Sequence, residues 1–239
     1  MLDTAVDARA IDAATDAGSA VRVAGAQVQW KFNEGAGQFA ADSAGLMPAY
    51  DLGRASLINS EWSNGGLTFT AKSYAKSAGG LVRPITACQT SKSATLEAWF
   101  VPSNAVQGIP TRPVIIAGLS VDIGRRNFEI SQVAQHLVAR TRTEAPSAPD
   151  LQASNVVAAG TLLHVVLVQE QATQRLYVNG VEKDSQVSSL LDWESTAMYV
   201  GSDMGLNASW VGTVRAVVLY CSALTATQVQ GNFAFGPTL

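Results

Sequence analysis

The chain of 239 residues has little of several things, and each shortage removes a class of protein. Two cysteines are too few for a disulfide-stapled mini-domain or a thiolate zinc cluster. Two histidines, His136 and His164, leave little room for a histidine metal site or a conventional triad. Charged residues make up only 15%, with 16 Lys and Arg against 19 Asp and Glu, so there is no strongly basic nucleic-acid surface. The longest apolar runs, such as LLHVVLV at 162–168, fall far short of the roughly 20 residues that span a bilayer as a helix. Met1 is followed by neither a basic segment nor a long apolar run, so no signal peptide is expected in this chain. Also missing are Glu-x-Asp-x-Glu, G-x-S-x-G, H-E-x-x-H and a phosphate-binding glycine loop. What is present is 47% hydrophobic sequence, enough for a sizeable core in a near-neutral globular chain.

Residues 1–24 differ from the rest. They are alanine-rich, carry Asp3, Asp7, Asp12 and Asp16, and lack aromatics. Residues 1–20 hold four acids and one base, and the remainder balances at 15 of each, so all the net charge of −3 sits in this tail. The aspartate spacing would line one face of a marginal helix. Equally, the composition is that of an acidic spacer with too little apolar surface to order itself. The domain division is therefore a tail at 1–24 and a folded domain at 25–239.

From Gln27 onward the pattern is β. In QVQWKF, Val28, Trp30 and Phe32 point one way and the polar residues the other. TLEAWF sets Leu96, Ala98 and Phe100 against Thr95, Glu97 and Trp99. PVIIAGL is a continuous apolar run, NFEISQ alternates, and HLVARTRT follows. TLLHVVLVQ and RLYVNG pair as a hairpin, and Asn179-Gly180 is a strong turn dipeptide. AMYVGS and WVGTVRAVVLY close a series of ten to thirteen short strands. The one convincing helix is TATQVQGNF, with Thr225 and Gln228 spaced as a capping box. The class expected is all-β, a sandwich or barrel.

Several segments together resemble one family. They are WKFNEGAGQFAADSAG, WSNGGLTF, ATLEAWFVP, RNFEISQ with VARTRT, LHVVLVQEQATQRLYVNG, and WVGTVRAVVLYCSALTATQVQGNF. In this order and spacing they look like the LamG-like jelly-roll domains of the concanavalin A-like lectin/glucanase superfamily, in bacterial form. The resemblance implies a two-sheet antiparallel jelly roll with one short C-terminal helix. It implies a non-catalytic module that recognises a carbohydrate or a protein at a cell surface or outside the cell. The alternative is a structural domain that self-associates or packs on another domain. No nucleic acid and no membrane span are expected, and the oligomeric state is left open. Related jelly rolls often hold a structural calcium. Asp42 in DSAG and Asp203 in GSDMG are loop acids that would either approach such a cation or close Asx-turns. In the implied fold, the strands near Cys88 and Cys221 are antiparallel neighbours. The two cysteines then form a disulfide, or stay as separate buried thiols.

Within such a sandwich, Trp30, Trp99 and the phenylalanines read as core. Glu97 either reaches solvent or lines an outer face. Trp62, Trp193 and Trp210 fall near loops or strand ends, where an exposed indole can stack on a sugar ring or anchor a protein contact. Arg140 and Arg142, two apart, share a strand face, and their donors need acids, carbonyls or a ligand. One reading pairs them with Glu129 on the preceding strand. The other makes them a ligand site, with Asn127, Gln132 and His164 completing a polar strip on the same sheet. His164 also reads as a satisfied, half-buried residue without a catalytic partner.

Overall fold

The structure, a computed structural model, describes residues 22–63, 65–120, 126–144, 149–202 and 209–237. In chain order the elements are β1 (Ala26–Trp30), β2 (Phe39–Ala40), β3 (Leu52–Arg54), β4 (Ser60–Ser63), β5 (Gly66–Phe69), β6 (Ala75–Ser77) and α1 (Val82–Ser91). There follow β7 (Ser93–Pro102), β8 (Val114–Ser120), β9 (Arg126–Val133), β10 (His136–Thr141), β11 (Leu151–Ala153) and β12 (Leu163–Glu170). The last are β13 (Thr173–Val178), β14 (Val181–Val187), β15 (Ala197–Val200), β16 (Gly212–Tyr220) and α2 (Ala226–Phe235). Sheet A runs β14-β13-β12-β7-β16-β5-β4, with β1 also on β16; sheet B runs β11-β10-β9-β8-β15-β6-β3-β2. The strands pair antiparallel throughout both sheets, which is the jelly-roll sandwich. The described strands outnumber the ten to thirteen expected. The additions, such as β2, β3, β6 and β11, are two or three residues long, too short to show a period of two.

The alternating segments bury the faces they should. Val28, Trp30, Phe32, Leu96, Ala98 and Phe100 meet Phe128, Ile130, Leu137 and Met198 between the sheets. Sheet A is also covered on its outer side, where Val166, Val168, Tyr177, Val218 and Tyr220 pack with Leu224 and Val229 around α2. A strand buried on both faces carries no solvent side, which explains why LLHVVLV is apolar apart from His164. The β12–β13 hairpin turns at residues 171–172. Asn179 and Gly180, both at positive φ, instead form the two-residue turn into β14.

Helix α2 has the capping box expected of Thr225 and Gln228: Gln228 N donates to Thr225 Oγ1 (3.2 Å) and Thr225 N to Gln228 Oε1 (2.9 Å). Helix α1 is an addition to the single expected helix. Its sequence, VRPITACQTS, offers no capping side chain and several β-branched residues. Tertiary packing makes up for this weak propensity. Ile85 and Cys88 are buried, and Pro84 sits in the first turn, where a missing N–H costs no helical bond. Lys92 closes the helix in the left-handed region, at φ 54°.

Cys88 of α1 is disulfide-bonded to Cys221 at the end of β16, with Cα atoms 4.3 Å apart. The other end of the folded unit is also tied down. Arg22 Nη2 lies 3.2 Å from Glu97 Oε1, and Val23 N donates to Asn232 Oδ1 of α2 (3.0 Å). The folded domain thus takes in Arg22 and Val23, which composition had placed in the tail. Removing residues 1–20 is expected to leave the melting temperature almost unchanged. Removing 1–24 strips these contacts as well and is expected to cost about 1–3 kcal/mol in urea unfolding.

A polar row across sheet B and a buried carboxylate on sheet A

Directly paired residues on neighbouring strands point to the same face. In sheet B one such series crosses seven strands. Phe39 of β2 faces Gly53 of β3, which faces Lys76 of β6, which faces Tyr199 of β15. Tyr199 faces Gly118 of β8, Gly118 faces Glu129 of β9, and Glu129 faces Arg140 of β10. The flanking residues Ala40, Leu52, Ala75, Met198, Leu119, Phe128 and Ala139 all lie in the core, so the row itself is on the outer side. At roughly 4.8 Å per strand it spans about 29 Å.

The middle of the row is closed. Tyr199 is buried beneath the edge of Tyr74 (5.6 Å between ring centroids) and the Lys76 ammonium (5.9 Å from the ring). Glu129 is buried with Arg126 Nε 3.1 Å from its Oε2. Burial pushes its carboxyl above the usual carboxylate range, against the downward pull of Arg126 and Arg140. Arg140 extends to Asp150 (2.7 Å).

The two ends are open. At the β10 end a hollow of about 350 Å³ is lined by Pro110, Pro113, Val133, His136, Val138, Arg140, Asp150 and Gln152. His136 Nδ1 accepts the Asn155 N–H (3.2 Å), which leaves Nε2 as the protonated nitrogen in the neutral ring. At the β2 end a hollow of about 280 Å³ is lined by Phe39, Asp51, Gly53, Arg54, Ala55, Tyr74, Lys76 and Ala78.

Asn127, Glu129, Arg140 and Arg142 do share this outer face, but two members of the expected strip do not. Gln132 turns inward, accepts from Trp210 Nε1 (2.9 Å), and donates to the Ala105 and Ala134 carbonyls. His164 lies on the other sheet. Arg142 is engaged by Asp192 (3.1 Å) and Glu194, and Asn127 holds the same loop through the Glu194 backbone. Those ion pairs are part-exposed. Arg142→Ala is therefore expected to lower stability by no more than about 1 kcal/mol.

The tryptophan expectation needs correcting. Trp193 packs on Phe128 (5.0 Å) and Trp210 edge-on to Phe100 (5.6 Å), and both are buried. Strand ends at the rim of a sandwich still point inward when the alternation demands it, so neither indole is open to a ligand. Trp62 is partly buried, donates to the Gly37 carbonyl (2.9 Å), and lies under the Arg54 guanidinium. Asp42 closes turns: Oδ1 accepts from Gln29 N (3.0 Å) and Ala44 N (3.1 Å), and Oδ2 from Tyr50 N (3.2 Å). Three backbone N–H groups converge on this carboxylate, which is the Asx-turn role of the two expected for Asp42. Asp203 lies outside the described residues.

The outer side of sheet A holds a cluster the sequence did not reveal. Glu97 is fully buried and accepts from Trp99 Nε1 (3.0 Å), Arg22 (3.2 Å), His164 Nε2 (3.2 Å), Asn232 Nδ2 (2.8 Å) and Tyr220 OH (3.4 Å). His164 stacks on Trp99 at 4.3 Å, and Phe233 of α2 covers both. Burial drives the Glu97 carboxyl upward, but the His164 hydrogen bond and the Arg22 charge outweigh it and hold the group below its ordinary value. Glu97 thus joins the segment before β1 to α2 across the sheet.

Architecture and pairing define a jelly-roll β-sandwich with one polar outer face. The chain belongs to the concanavalin A-like lectin/glucanases superfamily, whose Laminin_G_3 family model matches residues 76–230. Among solved structures, Trypanosoma rangeli sialidase with 2,3-difluorosialic acid superposes with a TM-score of 0.67 at 18% identity, covering 89% of this chain and 33% of the sialidase. The same sialidase with sialic acid gives 0.63 at 17%, covering 86% and 32%. The structure named HCR/D-Sa-GBL1/C gives 0.66 at 11%, covering 88% and 52%. At these identities the likeness is one of fold. The chain spans about a third of the sialidase length. A comparison with curated protein sequences finds no match.

Proposed function

We propose that the protein is a non-catalytic binding module that recognises a carbohydrate or a protein through the outer face of sheet B, outside the cell or at its surface. The observation that supports this is the cross-strand row from Phe39 to Arg140 with an open hollow at each end. The superfamily takes its name from lectins and glucanases. Most glycoside hydrolases use two carboxyl groups facing across the bond, about 5–10 Å apart. On this face Glu129 is buried beside Arg126, and Asp150 is spent on Arg140, which supports binding rather than cleavage. The Cys88–Cys221 bond supports an oxidising compartment.

The test is direct binding of the whole chain to immobilised oligosaccharides, and to surface proteins prepared without glycans, in calcium and in chelator. Saturable binding to either class is expected. Binding to neither, together with a mass that rises with concentration, would replace this reading with an assembly role.

A further inference from the structure

We propose that the hollow at the β2 end of sheet B is a subsite for one pyranose ring of a glycan, with Phe39 as its platform and Asp51 and Lys76 as its hydroxyl contacts. This rests on the binding-module reading and narrows it to a ligand class and a place.

Phe39 is 58% exposed, yet it is held in a strand, the outermost of sheet B. A large aromatic in that position normally loses solvent contact by packing. This one is kept open on one side and fixed on the other. Its partner is Gly53, and a Cβ there would sit 3.4 Å from the Phe39 ring, so the ring edge rests against bare backbone. The platform is therefore preorganised and loses little side-chain freedom on binding. The remaining lining is mixed in a particular way. Tyr74, Ala55 and Ala78 are apolar, and Asp51 and Lys76 bring an acceptor and a donor. One Asp51 oxygen is held by the Asp42 N–H (2.9 Å), which fixes the carboxylate and leaves its other oxygen as an acceptor. A pyranose matches this lining: its C–H face lies on an aromatic ring, and its equatorial hydroxyls both donate and accept.

Arg54 does not compete for the ligand, since its donors go to the Ser60 hydroxyl and carbonyl and to the Gly37 carbonyl (2.8 Å). Size favours a single ring as well. The volume of about 280 Å³ lies just under the roughly 300–1,000 Å³ of pockets that take drug-sized ligands. An extended peptide fits poorly here. β2 is two residues long, and the chain on either side of it is already engaged. The Gly37 carbonyl takes Arg54 and Trp62, and the Ala41 N–H donates to Glu34 (2.8 Å). Too little free backbone is left for a partner strand to add on.

The test uses the whole chain and immobilised oligosaccharides ending in glucose, galactose, mannose, N-acetylglucosamine or sialic acid. Wild type is compared with Phe39→Ala, Phe39→Trp and Asp51→Asn, and melting temperatures confirm that each variant is folded. The expected result is a loss of about tenfold or more for Phe39→Ala, retention for Phe39→Trp, and a clear loss for Asp51→Asn. Glycan binding that survives Phe39→Ala but falls with His136→Ala or Arg140→Ala would move the site to the other hollow. That outcome overturns this inference and leaves the binding module standing. A concentration-dependent mass abolished by Phe39→Ala would make the hollow an interface between copies. Binding to no glycan at all would overturn the inference, and the protein arm of the preceding experiment would then decide whether the module reading survives.

Discussion

Replacing Cys88 and Cys221 together by alanine is expected to lower the stability by about 2–5 kcal/mol and the melting temperature by about 4–20 °C. The two residues are 133 apart in sequence, so the bond closes most of the domain into one loop in the unfolded chain. It also ties α1 to β16, and α1 has neither a capping side chain nor strong helical propensity of its own. Its loss should therefore appear first at the helix. Calorimetry with and without reductant measures the effect, and thiol titration of denatured, unreduced protein should find none. Two titratable thiols would show that the chain folds without the bond.

Glu97→Ala is expected to cost about 3–5 kcal/mol, the range for removing one member of a buried ionic cluster. The five donors that meet on this carboxylate come from the segment before β1, from β7, from β12, from β16 and from α2. Removing it leaves a guanidinium, an imidazole and an amide facing an empty space beneath α2. Asp150→Ala, which breaks the exposed pair with Arg140, should cost no more than about 1 kcal/mol by the same measurement. The pH dependence follows from the direction of each shift. The Glu97 carboxyl is held down in the folded state, so its contribution is complete above the ordinary carboxylate range and is lost as pH falls through its lowered value. Glu129 is pushed up, so folding favours its protonated form. Its contribution is present at low pH and fades as pH rises from the ordinary carboxylate range to its raised value. Acid unfolding should accordingly be shallower in Glu97→Ala than in wild type.

Much of the sandwich was legible because alternation is a local property. Val28, Trp30 and Phe32, or Leu96, Ala98 and Phe100, need only a period of two to declare one buried face. The family resemblance supplied the two-sheet jelly roll with its short C-terminal helix. What local pattern could not supply was which outer face is covered, because that depends on elements far away in sequence. Thr95 and Glu97 look like a solvent side, yet α2 and Arg22 close over them. Trp193 and Trp210 failed as ligand contacts for the same reason. Proximity to a loop says nothing about the direction in which an indole points. His164 and Arg140 both belong to polar positions on outer faces, but of different sheets, and only the pairing separates them. Phe39, Lys76 and Tyr199 are brought together by pairings across as many as 123 residues. The sole hint for Phe39 was an aromatic isolated between Gln38 and two alanines.

If the protein is a binding module of the kind proposed, its ligand meets the outer face of sheet B. Backbone amide NMR shifts of the whole chain, followed during titration with whichever immobilised oligosaccharide or surface protein binds, test this. The largest changes are expected on β2, β3 and β6, extending to β9 and β10 for a longer ligand, with β12, β13 and α2 unmoved. Changes concentrated on β12, β13 and α2, around Glu97 and His164, would contradict it and place the ligand on sheet A.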